Sequence, residues 1–240
     1  MSLVFSLVSH GQLHLIKKFL FDYRRLGLGR YRLVLTLNIP EDEGILREFS
    51  DLPITLVRNL SPKGFGENHN AAFNAVDGSF LFVVNPDIRL RELDLDLLLQ
   101  PFRDDSVAAV APLVTDSSGQ VQDSARRFPT VVRLITRALL GRRSPDYVWD
   151  DQAVEVDWVA GMFIVFRSDA FRQVNGFDTR FYMYMEDADI CRRLRVVGGR
   201  TVLNPQASVI HDAQRASRRD LRHLKWHLAS AFRFLFLPPR

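Results

Sequence analysis

Short apolar runs alternate with helical patterns through the first half of the chain, and no other feature restricts the fold as much. Residues 3–8, 32–37, 54–57 and 80–84 have strand length and composition, whereas 12–26 and 68–76 carry helical periodicity. Such alternation predicts a mostly parallel α/β sheet. In the first helix Leu13, Ile16, Leu20 and Tyr23 recur at three- and four-residue spacings, with Lys17, Lys18, Arg24 and Arg25 on the polar face. Leu81-Phe82-Val83-Val84 and Val107-Ala108-Ala109-Val110 are unbroken apolar runs, as expected of central strands covered on both faces. With 240 residues, 47% hydrophobic, the chain can bury one large core.

After Pro112 the character changes. Thr115-Asp116-Ser117-Ser118-Gly119 reads as a turn and Gly141-Arg142-Arg143-Ser144-Pro145-Asp146 as a loop. A second ordered block is then expected: a buried strand over 158–166, Ser168 as N-cap of a helix over 169–174, a turn at Gly176-Phe177-Asp178, and a helix running to Val197 that Gly198-Gly199 ends. Domain organisation follows as one large unit over 1–212, with halves 1–112 and 113–212, and a basic amphipathic helix over 213–240.

One cysteine, Cys191, rules out an internal disulfide framework; its helical neighbours favour a small apolar packing residue over the alternative, a reactive thiol. No run approaches the roughly twenty apolar residues of a membrane span, and Met1-Ser2-Leu3-Val4-Phe5 lacks the basic flank of a secretory signal. The expected location is cytoplasmic. The formal charge of +4 suits phosphate-rich partners without choosing among nucleotides, nucleic acids and anionic lipid surfaces.

Tyr184-Met185-Glu186-Asp187-Ala188-Asp189 places three carboxylates within four residues at a helix start. Two readings stand: acidic decoration of a first helical turn, or a carboxylate whose pKa is raised by its neighbours into the range of a useful base. Asn85-Pro86-Asp87 follows an apolar strand and puts Asp87 at its carboxyl edge, where ligands of open α/β sheets bind; an Asx-Pro turn is the plainer alternative. His211 also follows an apolar run. Asp87, Asp187 and His211 together supply a hard oxygen ligand, a base and an imidazole, the groups needed to hold a divalent ion on a diphosphate and activate a hydroxyl. The turn Lys63-Gly64-Phe65-Gly66 opens a helix, but does not match a phosphate loop ending in Gly-Lys-Ser/Thr.

Pro62-Lys63-Gly64-Phe65-Gly66 to Asn70, Val84-Asn85-Pro86-Asp87, Trp158-Val159-Ala160-Gly161, Val174-Asn175-Gly176-Phe177-Asp178 and the acidic run stand in an order that resembles family 2 glycosyltransferases, especially bacterial rhamnosyltransferase-like members. The resemblance runs from about Val4 to His211. It implies a GT-A fold, with a Rossmann-like central sheet, a nucleotide-binding half over 1–112 and an acceptor-side half over 113–212. It further implies an inverting sugar transfer from a dTDP- or UDP-linked donor, rhamnose or another hexose, to a surface-polysaccharide or lipid-linked glycan acceptor, with Mg2+ or Mn2+ as cofactor. Asp87 and His211 then match the metal ligands, Asp187 the catalytic base, and Glu186 its acidic neighbour and substitute. Ser9, Asn38, Lys63, Gly64, Asn70, Asn85, Asp87 and Gly161 fall on the nucleotide-sugar side, and Asp189 and Trp158 on the acceptor side. The chain departs from the family where Leu37-Asn38-Ile39 replaces an Asp-Asn pair on the second strand, and where Asn85-Pro86-Asp87 keeps one carboxylate.

Arg126-Arg127-Phe128-Pro129-Thr130 reads either as a contact for phosphates or an anionic acceptor, or as a solvated basic loop. Residues 217–236 form a basic, aromatic-rich amphipathic helix that either rests on an anionic bilayer or packs on the protein. A nucleotidyltransferase, an inactive sugar-nucleotide-binding module and a nucleic-acid binder are the competing classes. The last lacks a recognisable nucleic-acid motif, and the first lacks an early glycine-rich triphosphate loop.

Overall fold

The computed structural model describes residues 1–140, 145–211 and 221–239. In chain order the elements are β1 (Leu3–Ser9), α1 (Leu13–Arg25), β2 (Arg32–Leu37), β3 (Ile54–Arg58), α2 (Phe65–Ala75), β4 (Phe80–Val84), β5 (Ile88–Arg89), α3 (Leu95–Leu99) and β6 (Val107–Thr115). They continue with β7 (Ala125–Arg126), α4 (Val131–Leu140), β8 (Val154–Val156), β9 (Trp158–Val159), β10 (Phe163–Arg167), α5 (Ser168–Gln173), α6 (Glu186–Val196), β11 (Arg200–His211) and α7 (Leu221–Phe236). The main sheet has the order β3-β2-β1-β4-β10-β6-β11-β5, with β8 also on β11, and β7 pairs separately with β9. The strands β3, β2, β1, β4, β6 and β11 share one direction, while β10, β5 and β8 run against them.

Period-two alternation divides each central strand between two cores. Phe80, Phe82 and Val84 of β4 face α1 and its neighbours, whereas Leu81 and Val83 face the layer of α5 and α6. Both faces being covered explains why β4 and β6 are apolar throughout, as the sequence predicts. Cys191 is fully buried in α6, and burial pushes its thiol up to about 12, so it is a packing residue and not a nucleophile.

Three boundaries differ from those read in the sequence. The run 158–166 is not one strand: β9 and β10 are separated by Ala160, Gly161 and Met162, where Met162 N–H closes on Ala160 O at 2.7 Å. Helix α5 begins at Ser168 itself; Arg167 occupies the N-cap, and no side chain caps it. Helix α2 starts at Phe65, three residues before the periodic stretch, because Gly64 approaches the 182 loop closely enough for Phe65 N–H to reach Tyr182 O at 3.0 Å.

Helix α7 packs one face on the rest of the chain. Ala231 and Phe234 are buried, Ser230 Oγ donates to Met183 O at 2.8 Å, and Arg192 donates to Phe234 O at 2.9 Å while its guanidinium lies over the Phe234 ring at 4.1 Å. Its segment over 213–220 lies outside the described residues. Among the described residues no helix is long and apolar enough to cross a membrane.

Candidate active site

The carboxyl ends of β1, β2 and β4 open into a cleft of about 500 Å³ whose walls include His10, Asn38, Lys63, Asn85, Asp87 and Trp226. This is the edge at which a parallel sheet presents unpaired backbone and helix N-termini to a ligand. Asp87 is held there from behind. Two residues on, Arg89 makes a two-pronged ion pair with buried Asp22 of α1 at 2.7 and 3.1 Å, and Asp22 also accepts from Leu90 N–H at 3.1 Å. The pair pins β5 to α1 and so fixes the turn that carries Asp87.

Asp87 and His211 meet, as the sequence reading expects: Asp87 Oδ2 lies 3.2 Å from His211 Nε2. Gln122 orients the imidazole. Its Nε2 donates to His211 O at 2.7 Å, which leaves its Oε1 to accept from His211 Nδ1 at 2.8 Å. With the hydrogen on Nδ1, Nε2 faces a carboxylate with either a second proton or a lone pair for a cation. Asp87 Oδ1 is buried without a hydrogen-bond partner among the described residues. An oxygen and an imidazole nitrogen so placed fit a divalent ion. They supply two ligands only; no cluster of three or more ligating side chains occurs among the described residues. A diphosphate or water must complete any coordination there.

The acidic run is positioned by strain. Tyr184 and Met185 both adopt positive φ, 72° and 65°, which costs non-glycine residues of order 1–3 kcal/mol each. That turn aims the start of α6 at the sheet. Asp187 Oδ2 accepts from Gly161 N–H at 2.9 Å and Oδ1 from its neighbour Ala188 at 2.8 Å. Burial raises the Asp187 pKa above the ordinary aspartate value, with these N–H groups and the Arg126 guanidinium pulling the other way. The next link leads back to Asp87, because Met162 O accepts from Asn85 N–H at 2.9 Å. One turn, Ala160 to Met162, therefore ties both carboxylates to the same sheet edge. Such a half-buried carboxylate, with raised proton affinity and its geometry set by backbone donors, has the properties of a general base.

Glu186 differs. It is buried, its Oε2 lacks a hydrogen-bond partner among the described residues, and burial together with the Asp187 charge raises its pKa well above the usual glutamate range. The folded protein thus binds a proton that the unfolded chain releases between the ordinary glutamate pKa and the raised one. Stability contributed by the neutral acid is full below that window and is lost as pH rises through it. Glu186→Gln should accordingly raise Tm at pH 8 by about 2–4 °C and flatten its pH dependence, taking roughly 1 kcal/mol as the effect; an unchanged Tm–pH curve would contradict a protonated Glu186.

Other residues expected at the site are placed differently. Asp189 is fully buried and its oxygens are taken by Arg192 at 3.0 Å and Arg193 at 2.7 Å, so it is a structural anchor and not an acceptor-side group. Asn70 clamps the chain at Phe177, donating to its O at 2.8 Å and accepting from its N–H at 2.9 Å, outside the cleft that Asp87 lines. Ser9 is buried, and its Oγ accepts from Gln12 N–H at 3.0 Å at the entrance to α1. Gly64 serves protein packing, since a Cβ there would stand 2.6 Å from Tyr182 O. Gly161 holds Asp187 through its N–H. Trp158 is buried under the Arg126 guanidinium at 5.2 Å and donates to Arg127 O at 2.9 Å, at the floor of a second cavity of about 600 Å³. The basic segment at 126–127 borders that cavity and is not a free loop.

Asn38, Lys63, Asn85 and Asp87 line the cleft at the carboxyl ends of the strands. Asn38 accepts from Lys63 N–H at 2.8 Å and from Asn59 at 2.9 Å, and donates to Lys63 O at 3.0 Å, so it shapes the loop at 63. Gln122, Asp22, Arg89 and Asn59 carry no signal in the sequence, and the α7 residues His223 and Trp226 stand out there only as members of the basic, aromatic tail. His223 Nδ1 lies 2.8 Å from Tyr184 Oη, on the strained turn, and Trp226 packs on Tyr182 at 4.9 Å.

The sheet order, with antiparallel β10 inserted beside β4 and both carboxylates at one edge, defines a GT-A fold. The chain belongs to glycosyltransferase-like family 2, whose model matches residues 33–227. It is 30% identical over 244 residues to the rhamnosyltransferase WbbL of Escherichia coli K12, covering 95% of this chain and 90% of that protein. It is 35% identical over 167 residues to N-acetylglucosaminyl-diphospho-decaprenol L-rhamnosyltransferase of Mycobacterium tuberculosis, covering 65% of this chain and only 54% of that relative. The chain thus spans about half the length of the mycobacterial protein. Similar folds include GalNAc-T7 with UDP, GalNAc and Mn2+, at TM-score 0.65 and 14% identity over 88% of this chain and 44% of that one. The mannosyltransferase PcManGT of Pyrobaculum calidifontis with GDP-Man and Mn2+ gives 0.64 and 16% over 96% and 62%.

Proposed function

We propose that the protein transfers a sugar, rhamnose or another hexose, from a dTDP- or UDP-linked donor to a hydroxyl of a lipid-linked or surface-polysaccharide glycan, with inversion at the anomeric carbon. The observation that carries this reading is the turn at 160–162, whose backbone joins Asp187 to the segment bearing Asp87. Asp187 takes the acceptor hydroxyl proton as its oxygen attacks the anomeric carbon, and the bond to the nucleotide diphosphate breaks in the same displacement. A divalent ion, Mg2+ or Mn2+, held by Asp87 and His211 would offset charge on the leaving diphosphate when bound. Gln122 keeps His211 turned toward that position, while Lys63 and Asn38 form the donor-side wall. The names of the rhamnosyltransferase relatives favour a deoxyhexose, and that of the mycobacterial relative a lipid-linked acceptor.

Incubation with dTDP-rhamnose and a panel of UDP-sugars tests the reaction: release of nucleoside diphosphate with a glycosylated acceptor is expected, whereas pyrophosphate would indicate nucleotidyl transfer. Asp87→Ala and His211→Ala should each weaken Mn2+-dependent nucleotide-diphosphate binding by about tenfold or more, about 1.4 kcal/mol. Equal affinity in wild type with and without a chelator would remove the metal from the site.

A further inference from the structure

We propose that α4 and the outer face of α7 together form a docking surface for an anionic bilayer, with the cavity between them opening at the lipid face. This rests on the lipid-linked acceptor reading for its purpose and on the surface itself for its chemistry. The two helices are remote in sequence but border one cavity: Leu134 and Ile135 of α4 and Leu224, Leu228 and Ala231 of α7 line it, above Trp158 and Met185. Their outward apolar side chains are left in solvent. Val132 is 73% exposed on α4, and on α7 Leu228 is 61% and Phe232 60% exposed. Leu224, Leu228, Phe232 and Phe236 recur every four residues and so follow one side of α7, opposite the buried Phe234.

Charge selects the partner. Neither helix contains an aspartate or glutamate, although the chain has 28; α4 carries Arg133 and Arg137, and α7 carries Arg222, Lys225 and Arg233. Asp146 and Asp123 pair with the α4 arginines, at 3.7 Å to Arg133 and at 3.1 and 3.4 Å to Arg137, yet the two guanidinium side chains stay partly exposed. A second copy of the chain docked on this face would set cations against cations. An anionic lipid surface instead accepts both the apolar stripe and the cations, as interfacial amphipathic helices do. Continuity of the surface with the cavity that Arg126, Trp158 and Met185 line would let an acceptor's lipid stay in the bilayer while its glycan enters beside the turn that precedes Asp187.

Co-sedimentation with phosphatidylglycerol–phosphatidylcholine vesicles tests the surface using the full chain. Wild type should partition onto these vesicles, less at high salt and less onto phosphatidylcholine alone. The pairs Val131→Glu with Val132→Glu, and Phe232→Glu with Phe236→Glu, change exposed residues outside the cavity lining. Each pair should lower partition by about tenfold or more while near-UV circular dichroism and transfer to a soluble short-glycan acceptor stay unchanged. No binding by wild type, or full binding by the α4 pair, overturns the two-helix surface. Capture by an acidic protein with no vesicle binding also overturns it. Wild type that binds vesicles but glycosylates no lipid-linked acceptor would remove the acceptor reading and leave the surface standing.

Discussion

Asp187→Asn should lower the sugar-transfer rate by about 10²–10⁴-fold, the range of a lost general base, while nucleotide-diphosphate affinity should remain near that of wild type. The substitution is nearly isosteric, but an amide has no acid–base function near neutrality. It also leaves one oxygen to meet the N–H groups of Gly161 and Ala188, so a small fall in Tm should accompany the kinetic loss. The pH profile gives an independent check. Because burial raises the Asp187 pKa, the fraction ionised falls as pH decreases through a value above that of an ordinary aspartate. The acidic limb of the rate should therefore lie above the range of an ordinary aspartate in wild type and vanish in the residual activity of the variant. An Asp187→Asn protein that turns over normally would pass the base role to Glu186, the adjacent carboxylate.

Asp189→Ala has the largest expected effect on stability, about 3–5 kcal/mol, the cost of stripping one partner from a buried ion pair. Arg193 is itself buried and also donates to Val174 O, while Arg192 reaches Phe234 O; together they join α6 to the end of α5 and to α7. Removing the carboxylate leaves two guanidinium groups without their shared counter-charge. Urea unfolding followed by circular dichroism measures the loss, and a change under about 1 kcal/mol would mean that solvent already reaches the pair. Asp189→Leu combined with Arg193→Met should recover part of the loss, since the double change removes both charges.

The contrast between Asp187 and Asp189 marks what the sequence can disclose about this site. Both lie in one acidic run, two residues apart on a helix, and the one local difference is that Asp189 has arginines three and four residues on, the spacing of a helical ion pair. What the run hides is the partner far along the chain: Gly161 N–H, 26 residues away, holds Asp187, while the arginines beside Asp189 also reach Val174 and Phe234 and so brace α5 and α7. Asn70 and Ser9 teach the same lesson, because a polar side chain near a binding motif can be a backbone staple. The sheet was far more legible, since central strands such as 80–84 must be apolar on both faces whatever their neighbours. Residues 158–166 misled because Ala160, Gly161 and Met162 are as apolar as a strand, and the turn there is set by hydrogen bonds across the sheet. The Asp22–Arg89 pair and the Gln122–His211 contact span 67 and 89 residues, beyond any periodicity.

The insertion of β10 between β4 and β6 has a consequence for the nascent chain. Val84 finds its antiparallel partner in Phe163, 79 residues later (163 − 84). At synthesis rates of about 5–20 residues per second, the apolar edge of β4 waits roughly 4–16 s for the strand that closes it. Until then the emerging polypeptide presents an unpaired, fully hydrophobic border, the kind of surface that recruits chaperones or neighbouring chains. Slowed translation over 85–162 should therefore lower soluble yield without altering the finished enzyme.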